Sequence, residues 1–403
     1  MLIVGDWAPE KCNFILDIPV SDYLFVNLEG PIFKGGDLPL NAPLKAGPVL
    51  TNEKLPVYKN RIIYNLANNH FNDLGVSVSF ETIDEIESAS NLFVGFGENN
   101  LESRKPLVID FQDKKVGIIS FCETQFGESG FENAGVSNYG VWVNYEIVEL
   151  RKKVDYLIIS SHFGVEDVPW PTPFVVDLYR SFIDLGANLV VGHHPHMPQG
   201  YEKYRNGLIA YGLGNFAVNP TKWNYQYMGT KSLAIKLNFD LAYGFTEEIL
   251  TLEIQPLENG TNLVTESKVP HPELDSYLEL CNSPLSDREL LEDLWHHLSY
   301  ELANSYALDF LYGPSSSILS KVGFEFIKKQ FLTLNIKLNM IEKRLNKSNF
   351  VKNRMRVSKL FAYHAIACES HREILKYYFK NYEPHSSLNC SKSISLMKLM
   401  NIT

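Results

Sequence analysis

The sequence predicts an α/β protein, a layered mixed β-sheet core with flanking helices, followed by a C-terminal α-helical region. Three observations carry this. Short apolar runs rich in Val, Ile, Leu and Tyr recur through the first part of the chain, and each stops abruptly on polar or charged residues, as buried strands do. Helical patterns lie between several of those runs. Towards the C-terminus strand-like runs disappear and helical spacing continues with few breakers.

Taken in order, Leu2–Val4 leads into Gly5-Asp6, Tyr23–Leu28 into Glu29-Gly30, and Ile62–Ala67 into Asn68-Asn69-His70. Tyr156–Ser161 then leads into His162-Phe163-Gly164, and Asn188–Val191 into Gly192-His193-His194. Amphipathic spacing predicts helices over Ser79–Ala89 and Phe174–Leu185, the second closed by Gly186 at a C-cap. Pro106–Phe111, Lys115–Phe121, Leu208–Tyr211, Ser232–Asn238 and Ile249–Ile254 read as further strands. Two joins, "DKK" and "YRNG", have the composition of hairpin turns, so part of the sheet is antiparallel. Around Gln255–Pro272 the composition shifts to Pro, Asn, Gly and Thr, which divides the chain into a domain over 1–255, a linker over 256–272 and a helical region over 273–403. Within that region helical spacing covers Ser286–Tyr306, Ser317–Leu345 and Arg354–Phe379.

At 403 residues the chain exceeds one ordinary core, which agrees with that division. The net charge of −10 hides an asymmetry, because residues 331–403 carry 13 Lys and Arg against four Glu and no Asp. An acidic body argues against general nucleic-acid binding through the main domain, and the basic end reads first as the solvated face of helices, with contact to an anionic partner as the alternative. The five cysteines have no close spacing, so neither a disulfide framework nor a Cys-based zinc site is expected. No stretch approaches the roughly 18 apolar residues of a membrane span, and the N-terminus has no basic signal region. These features predict a cytoplasmic protein with no membrane span.

In open α/β sheets ligands gather beyond the carboxyl ends of the strands, where loops converge. Five runs deliver Asp6, Glu29, Asn69-His70, His162 and the three histidines His193, His194 and His196 to such ends. Carboxylate, amide and imidazole donors together suit a divalent Mn, Fe or Zn ion. Singly, each has a structural alternative: Gly5-Asp6 as a turn, Asn68-Asn69-His70 as a helix cap, His162 as a bonded core histidine, Glu29 as a surface residue. "GHHPH" is harder to dismiss, since three imidazoles at the end of a buried strand serve no packing purpose that smaller residues would not.

The order Asp, acid, Asn-His, His, His-x-His resembles the calcineurin-like metallophosphoesterases; amidohydrolase-like barrels instead open with His-x-His. More closely, the sequence resembles the capsule-synthesis CapA family, also described as poly-γ-glutamate synthesis proteins. The resemblance runs from about residue 2 to 240 and rests on "VGDWAP", "NLEGPI", "NLANNHFNDLG", "SSHFGVED", "FIDLGANLVVGHHPHMPQGYEKY" and "IAYGLGNFAV". It implies an α/β/β/α sandwich and two divalent metal ions sharing a carboxylate and a water that becomes the attacking hydroxide. Asp6 would hold the first ion, Glu29 would bridge, Asn69 and His162 would bind the second, and His194 and His196 would complete the two spheres. His70 would protonate the leaving alkoxide, with Asp73 orienting it. Glu166, Asp167 and Asn215 match family blocks and are expected to face substrate, Asn215 being equally readable as a turn residue. His193 is grouped with them, or becomes the ligand if the His-x-His register shifts by one. Two features follow the capsule branch: Ala8 stands where the superfamily usually has a histidine, and Glu29 where most members have Asp.

Many family members tied to envelope polymers carry an N-terminal membrane anchor, whereas this sequence opens on its first strand. The expectation is therefore a soluble enzyme acting on a phosphorylated small molecule or polymer, a cytoplasmic precursor in capsule or poly-γ-glutamate metabolism. Two other functions fit the resemblance: an accessory protein binding a polyanionic chain or partner enzyme, and a metal-dependent amide hydrolase on a γ-glutamyl substrate. The C-terminal helices are expected to cover the site or to mediate assembly, as a homo-oligomer or with a protein partner.

Overall fold

The alternation of apolar residues on β1 (Leu2–Trp7), β3 (Tyr23–Leu28) and β4 (Arg61–Asn65) buries both faces of each strand. One set, Ile3, Phe25 and Ile63, packs with Ile118, Ile158 and Leu189 of a second sheet. The other, Leu2, Val4, Leu24, Val26, Ile62 and Tyr64, packs with Ile83 and Ile86 of helix α1 (Val76–Ser88). These strands sit centrally between two packing layers. The description is of a computed structural model and covers residues 1–7, 13–18, 22–33, 55, 58–217, 230–257, 261–267, 272–312, 368–379 and 387–399.

The first sheet has the order β2 (Asn13–Asp17), β17 (Thr261–Glu266), β16 (Gly244–Pro256), β15 (Lys231–Asp240), β1, β3, β4, β5 (Leu92–Val94), with β14 (Asn215–Ala217) also paired to β1. From β1 to β5 it is parallel; from β15 to β17 it is an antiparallel meander. The second runs β12 (Tyr201–Tyr204), β13 (Gly207–Ala210), β11 (Leu189–His193), β10 (Tyr156–His162), β8 (Lys114–Cys122), β7 (Leu107–Phe111). Its four central strands are parallel, and its two edges are the hairpin partners that "DKK" and "YRNG" predict. A small ribbon pairs β6 (Phe96–Gly97) with β9 (Gly135–Val136), beside the short helix α2 (Asn100–Ser103).

On the outer face of the second sheet, a Cβ added to Gly117 would meet Leu150 and Val154, at and just beyond the end of α3 (Trp142–Arg151). On the same side Phe121 meets Phe182 of α4 (Pro173–Asp184) edge-on at 5.8 Å. The layers are therefore helix, sheet, sheet, helix, the α/β/β/α sandwich expected. Helix α4 begins where Thr172 caps Val175 N at 3.1 Å with Pro173 in the first turn, and it is followed by Gly186 at φ 118°, as predicted. Helix α3 was not predicted, although Val143, Ile147 and Leu150 have helical spacing.

One stretch differs from expectation. Residues 256–272, read as a linker, contain β17, which pairs with β16 and β2 inside the first sheet. Its composition looked like a linker because Asn259-Gly260, a hairpin signal, precedes the strand. The helical region follows as α5 (Pro272–Asn282), a 3-10 turn (Ser283–Ser286), α6 (Arg288–Tyr312), α7 (Glu369–Phe379) and α8 (Ser387–Leu399). Trp295 Nε1 donates to Pro171 O at 2.7 Å, Trp170 Nε1 to Leu280 O at 3.1 Å, and Tyr277 OH to Pro198 O at 2.6 Å, tying α5 and α6 to the sandwich. The helices expected over Ser317–Leu345 and residues 354–367 lie outside the described residues, as does Ala8. No described helix is long and apolar enough to cross a membrane.

Two glycines let backbone meet backbone where the sheets converge. A Cβ on Gly5 would lie 1.8 Å from Gly214 O, and one on Gly192 would lie 1.9 Å from Tyr211 O. Asp6 N donates to Gly214 O at 2.9 Å and Leu213 N to Gly192 O at 3.0 Å, so the "YGLGN" segment is wedged between the ends of β1 and β11. Gly192→Ala is expected to cost about 3 kcal/mol, because the obstructing atom is main chain. Gly244→Ala, at φ 76° with nothing within 4 Å, should cost only about 1 kcal/mol from backbone strain. Urea unfolding midpoints of the two variants test this; equal shifts would show that the close approach is not limiting.

Candidate metal centre

Along the inner face of six of the parallel strands the side chains turn from apolar to polar towards the carboxyl end. On β1 the change is from Ile3 to Asp6 across a register shift, on β3 from Phe25 to Asn27, and on β4 from Ile63 to Asn65. On β8 it is from Ile118 to Ser120, on β10 from Ile158 to His162, and on β11 from Leu189 to His193. These polar groups are buried, so they must bond one another. Asn65 Nδ2 donates to Asn27 Oδ1 at 2.8 Å, Asn27 Nδ2 donates to Asp6 Oδ1 at 2.8 Å, and Ser120 Oγ donates to Asn65 Oδ1. Asn68 Nδ2 joins at Asn27 Oδ1 (3.2 Å), while its Oδ1 accepts His70 N at 3.1 Å and Phe71 N at 2.9 Å. Asn68 thus turns the chain so that Asn69 and His70 stand at the seam between the sheets.

Six of the predicted residues converge there. Asp6 Oδ1 lies 2.9 Å from His193 Nδ1, and Asp6 Oδ2 accepts His194 N at 3.0 Å and stands 3.5 Å from His196 Nδ1. Glu29 Oε1 is 3.3 Å from His162 Nε2 and 3.6 Å from His196 Nε2. Asn69 Oδ1 is 3.0 Å from His162 Nε2, and the His162 and His194 rings are 4.7 Å apart. Asp6, Glu29 and His196 form one group whose donor atoms lie within 4.8 Å of one another, and Glu29, His162 and His194 form another. Glu29 belongs to both. A carboxylate shared between two imidazole-containing groups is donor chemistry suited to divalent cations, so the residues fit a divalent-metal centre. Glu166, His194 and His196 make a third group, in which the Glu166 side chain is 55% exposed and marks the open side.

Burial and neighbouring charge pull on these groups in opposite directions. Burial pushes the Asp6 carboxyl up, but the His193 hydrogen bond, the charges of His193 and His196 and the His194 amide hold it below its ordinary value. For His196 burial acts downward, yet Glu29, Asp6, Glu166 and Asp167 raise it to about 9. His162 is pushed well below its ordinary value by burial and by the histidines around it. The backbone is strained as well: His194 at φ 94° and His196 at φ 59° lie in the left-handed region. Such positions cost on the order of 1–3 kcal/mol and concentrate at functional sites.

The remaining predicted residues fall around this core. Asp73 Oδ2 lies 2.7 Å from His70 Nδ1, with both side chains buried. Asn215 Oδ1 is 3.1 Å from His196 Nδ1 and its Nδ2 donates to His196 O at 2.8 Å, so both ends of its amide hold His196. Asp167 N donates to Pro195 O at 3.1 Å from a left-handed conformation (φ 58°), and burial raises its carboxyl. His193, expected to face substrate or to be the ligand if the register shifts by one, is buried with its Nδ1 2.9 Å from Asp6 Oδ1 and its ring centroid 6.5 Å from that of Phe25. Four residues were missed: Asn27, Asn65, Glu123 and Gln125. The first two stand in quoted motifs at the inward parity of their strands. Glu123 and Gln125 follow β8, another apolar run ending on polar residues. Glu123 Oε1 accepts Gln125 Nε2 at 2.7 Å and lies 3.4 Å from His194 Nε2, and burial pushes Glu123 up to about 7 despite bonds from Ser370 and Gln125.

Residues 17–220 match the family described as bacterial capsule synthesis protein PGA_cap. That span includes every predicted site residue except Asp6. Capsule biosynthesis protein CapA of Bacillus anthracis is 26% identical over 213 residues, 49% of this chain and 51% of the relative. PGA biosynthesis protein CapA of Bacillus subtilis (strain 168) is 30% identical over 213 residues, 49% of this chain and 54% of the relative. The chain thus spans about half the length of these curated relatives. Among solved structures, a novel phosphatase from Mycoplasma pneumoniae aligns with a TM-score of 0.34 at 13% identity, covering 70% of this chain and 97% of that one.

The raised His196 sets a pH dependence. In metal-free protein its folded value of about 9 exceeds the unfolded value of about 6.5, so its stabilising contribution is complete below pH 6.5 and is lost as pH rises through 9. A metal ion must displace that proton. Calorimetric titration with Mn²⁺ or Zn²⁺ should therefore show affinity rising and proton release falling from pH 6.5 to 9. His196→Ala, removing a donor from two groups, should abolish tight uptake at every pH; retained affinity would exclude His196 as a ligand.

Proposed function

The chain belongs to the bacterial capsule synthesis protein PGA_cap family, and from that premise we propose that it is a metal-dependent phosphoester hydrolase. Its substrate is a phosphorylated precursor or polymer in capsule or poly-γ-glutamate metabolism. The observation carrying this reading is the shared position of Glu29, between Asp6 and His196 on one side and His162 and His194 on the other. Held by these residues, divalent ions would supply an activated water and charge neutralisation at the phosphoryl group.

The chain's own residues do the rest. Asp6, His196 and Glu29 would hold one ion, and Asn69, His162 and His194 with Glu29 a second. His193 and Asn27 hold the Asp6 carboxylate in place, and Asn215 does the same for His196. His70, its Nδ1 lying 2.7 Å from Asp73 Oδ2, delivers a proton to the leaving alkoxide. The Asp73 carboxylate fixes the ring and stabilises its charged form. Glu166, Asp167 and the exposed rim around them meet the substrate on the open side.

Elemental analysis of the purified protein, coupled to a panel of phosphomonoesters and phosphodiesters, tests the proposal. Bound transition metal and hydrolysis are expected. His70→Ala should lower kcat by about 10²–10⁴-fold with metal content unchanged, and Asp73→Asn should lower it less. Protein that takes up no metal would overturn the reading. Metal-loaded protein inert towards the panel but releasing amine from a γ-glutamyl substrate would replace it with amide hydrolysis.

A further inference from the structure

The first turn of α7 reaches the metal centre from a part of the chain far outside the family match. Glu369 Oε2 accepts Thr124 N at 2.8 Å, Glu369 Oε1 accepts Thr124 Oγ1 at 3.0 Å, and Ser370 N donates to Glu123 Oε2 at 3.2 Å. The two segments cap each other. Glu123 takes up an amide that the start of a helix leaves without an intrahelical partner, and Glu369 takes up an amide and a hydroxyl beyond the end of β8.

From this clasp two paths lead to candidate ligands. Glu123 Oε1 faces His194 Nε2 at 3.4 Å and accepts Gln125 Nε2 at 2.7 Å. Gln125 Oε1 accepts Asn69 Nδ2 at 2.8 Å, and Gln125 Nε2 lies 3.2 Å from His194 Nε2. Glu123 and Gln125 are buried. Their side chains therefore take the orientations that protein partners impose, and α7 supplies one of the partners of Glu123.

We propose that Glu123 and Gln125 are positioning residues for His194 and Asn69, and that the first turn of α7, through Glu369 and Ser370, holds them in register. The C-terminal helical region completes the metal centre. The inference rests on the assignment of His194 and Asn69 as ligands under the proposed function. A ligand set fixed by such outer partners typically loses about 10–100-fold in metal affinity when a partner is removed.

The test uses the full chain, with Mn²⁺ titration by calorimetry and hydrogen exchange read over residues 122–126, 193–197 and 369–379. Glu369→Ala should accelerate exchange at 122–126 and 193–197 and weaken one of the metal-binding events about tenfold, while Glu369→Gln, which keeps an acceptor for Thr124, should restore most of both. If Glu369→Ala does not fold, Thr124→Val removes the hydroxyl bond alone and carries the same comparison with a smaller effect. Faster exchange confined to 369–379, with affinity and exchange at 193–197 unchanged, would reduce α7 to a docked neighbour and sink the proposal. Wild-type protein that binds no metal would overturn the proposed function, yet exchange at 122–126 and 193–197 would still decide whether α7 orders those segments.

Discussion

The Asp6 carboxylate is buried between two β-sheets, and keeping it ionised there constrains much of the surrounding structure. Removing a carboxylate from water costs several kcal/mol unless donors replace the lost hydration. Asp6 has such donors in Asn27 Nδ2 from β3 and in the His194 amide and the His193 ring at the end of β11. Those donors must themselves be held. Asn27 is tied to Asn65 and Asn68, and Asn65 to Ser120 of the opposite sheet. The register of both sheets is thus coupled at the seam by a polar network, in addition to the apolar packing between them.

Satisfying Asp6 also explains backbone features that are unfavourable locally. The His194 amide reaches Asp6 Oδ2 with the residue at φ 94°, and His196 follows at φ 59°. Neither conformation suits a residue with a bulky side chain. They persist because the segment is anchored around them: Leu213 N to Gly192 O, Asn215 to His196, and Pro195 O to Asp167 N. Glycine at 192 allows Tyr211 O to approach within what a Cβ would occupy. "GHHPH" and "YGLGN" are therefore two halves of one object, distant in sequence and interlocked in space.

This interlocking marks what was legible in the sequence and what was not. Strand ends were readable because the apolar runs stop sharply, and the same rule located Asp6, Glu29, Asn69, His162 and the histidine cluster. It was silent on inward parity within a strand, so Asn27 and Asn65, which open the blocks two residues before Glu29 and four before Asn69, passed as ordinary strand positions. The contact of His193 with Asp6 was hidden for a related reason: the two lie 187 residues apart, and only the pairing of sheets brings them together. Strand β17 was obscured by the turn-forming residues before it. Glu123 and Gln125 carried the same signal as the other strand ends, but neither belongs to a recognisable block.

The C-terminal helices illustrate a further limit of local reading. Their composition marks them as helical, with a basic excess over residues 331–403, which describes a solvated face as well as it describes a functional element. Their packing is more specific. Tyr277, Trp295 and the Trp170 partner Leu280 dock α5 and α6 onto loops that flank the histidine segment, and α7 packs on α6. Helix α7 is thereby delivered, start first, to the end of β8. A helix beginning is rich in unused amide donors, and a buried carboxylate is short of them. Meeting there relieves both, at the point where Glu123 faces His194. The same desolvation that makes Asp6 demand donors from both sheets makes Glu123 demand one from α7, so burial of polar groups ties the appended helices to the centre as it ties the two sheets to each other.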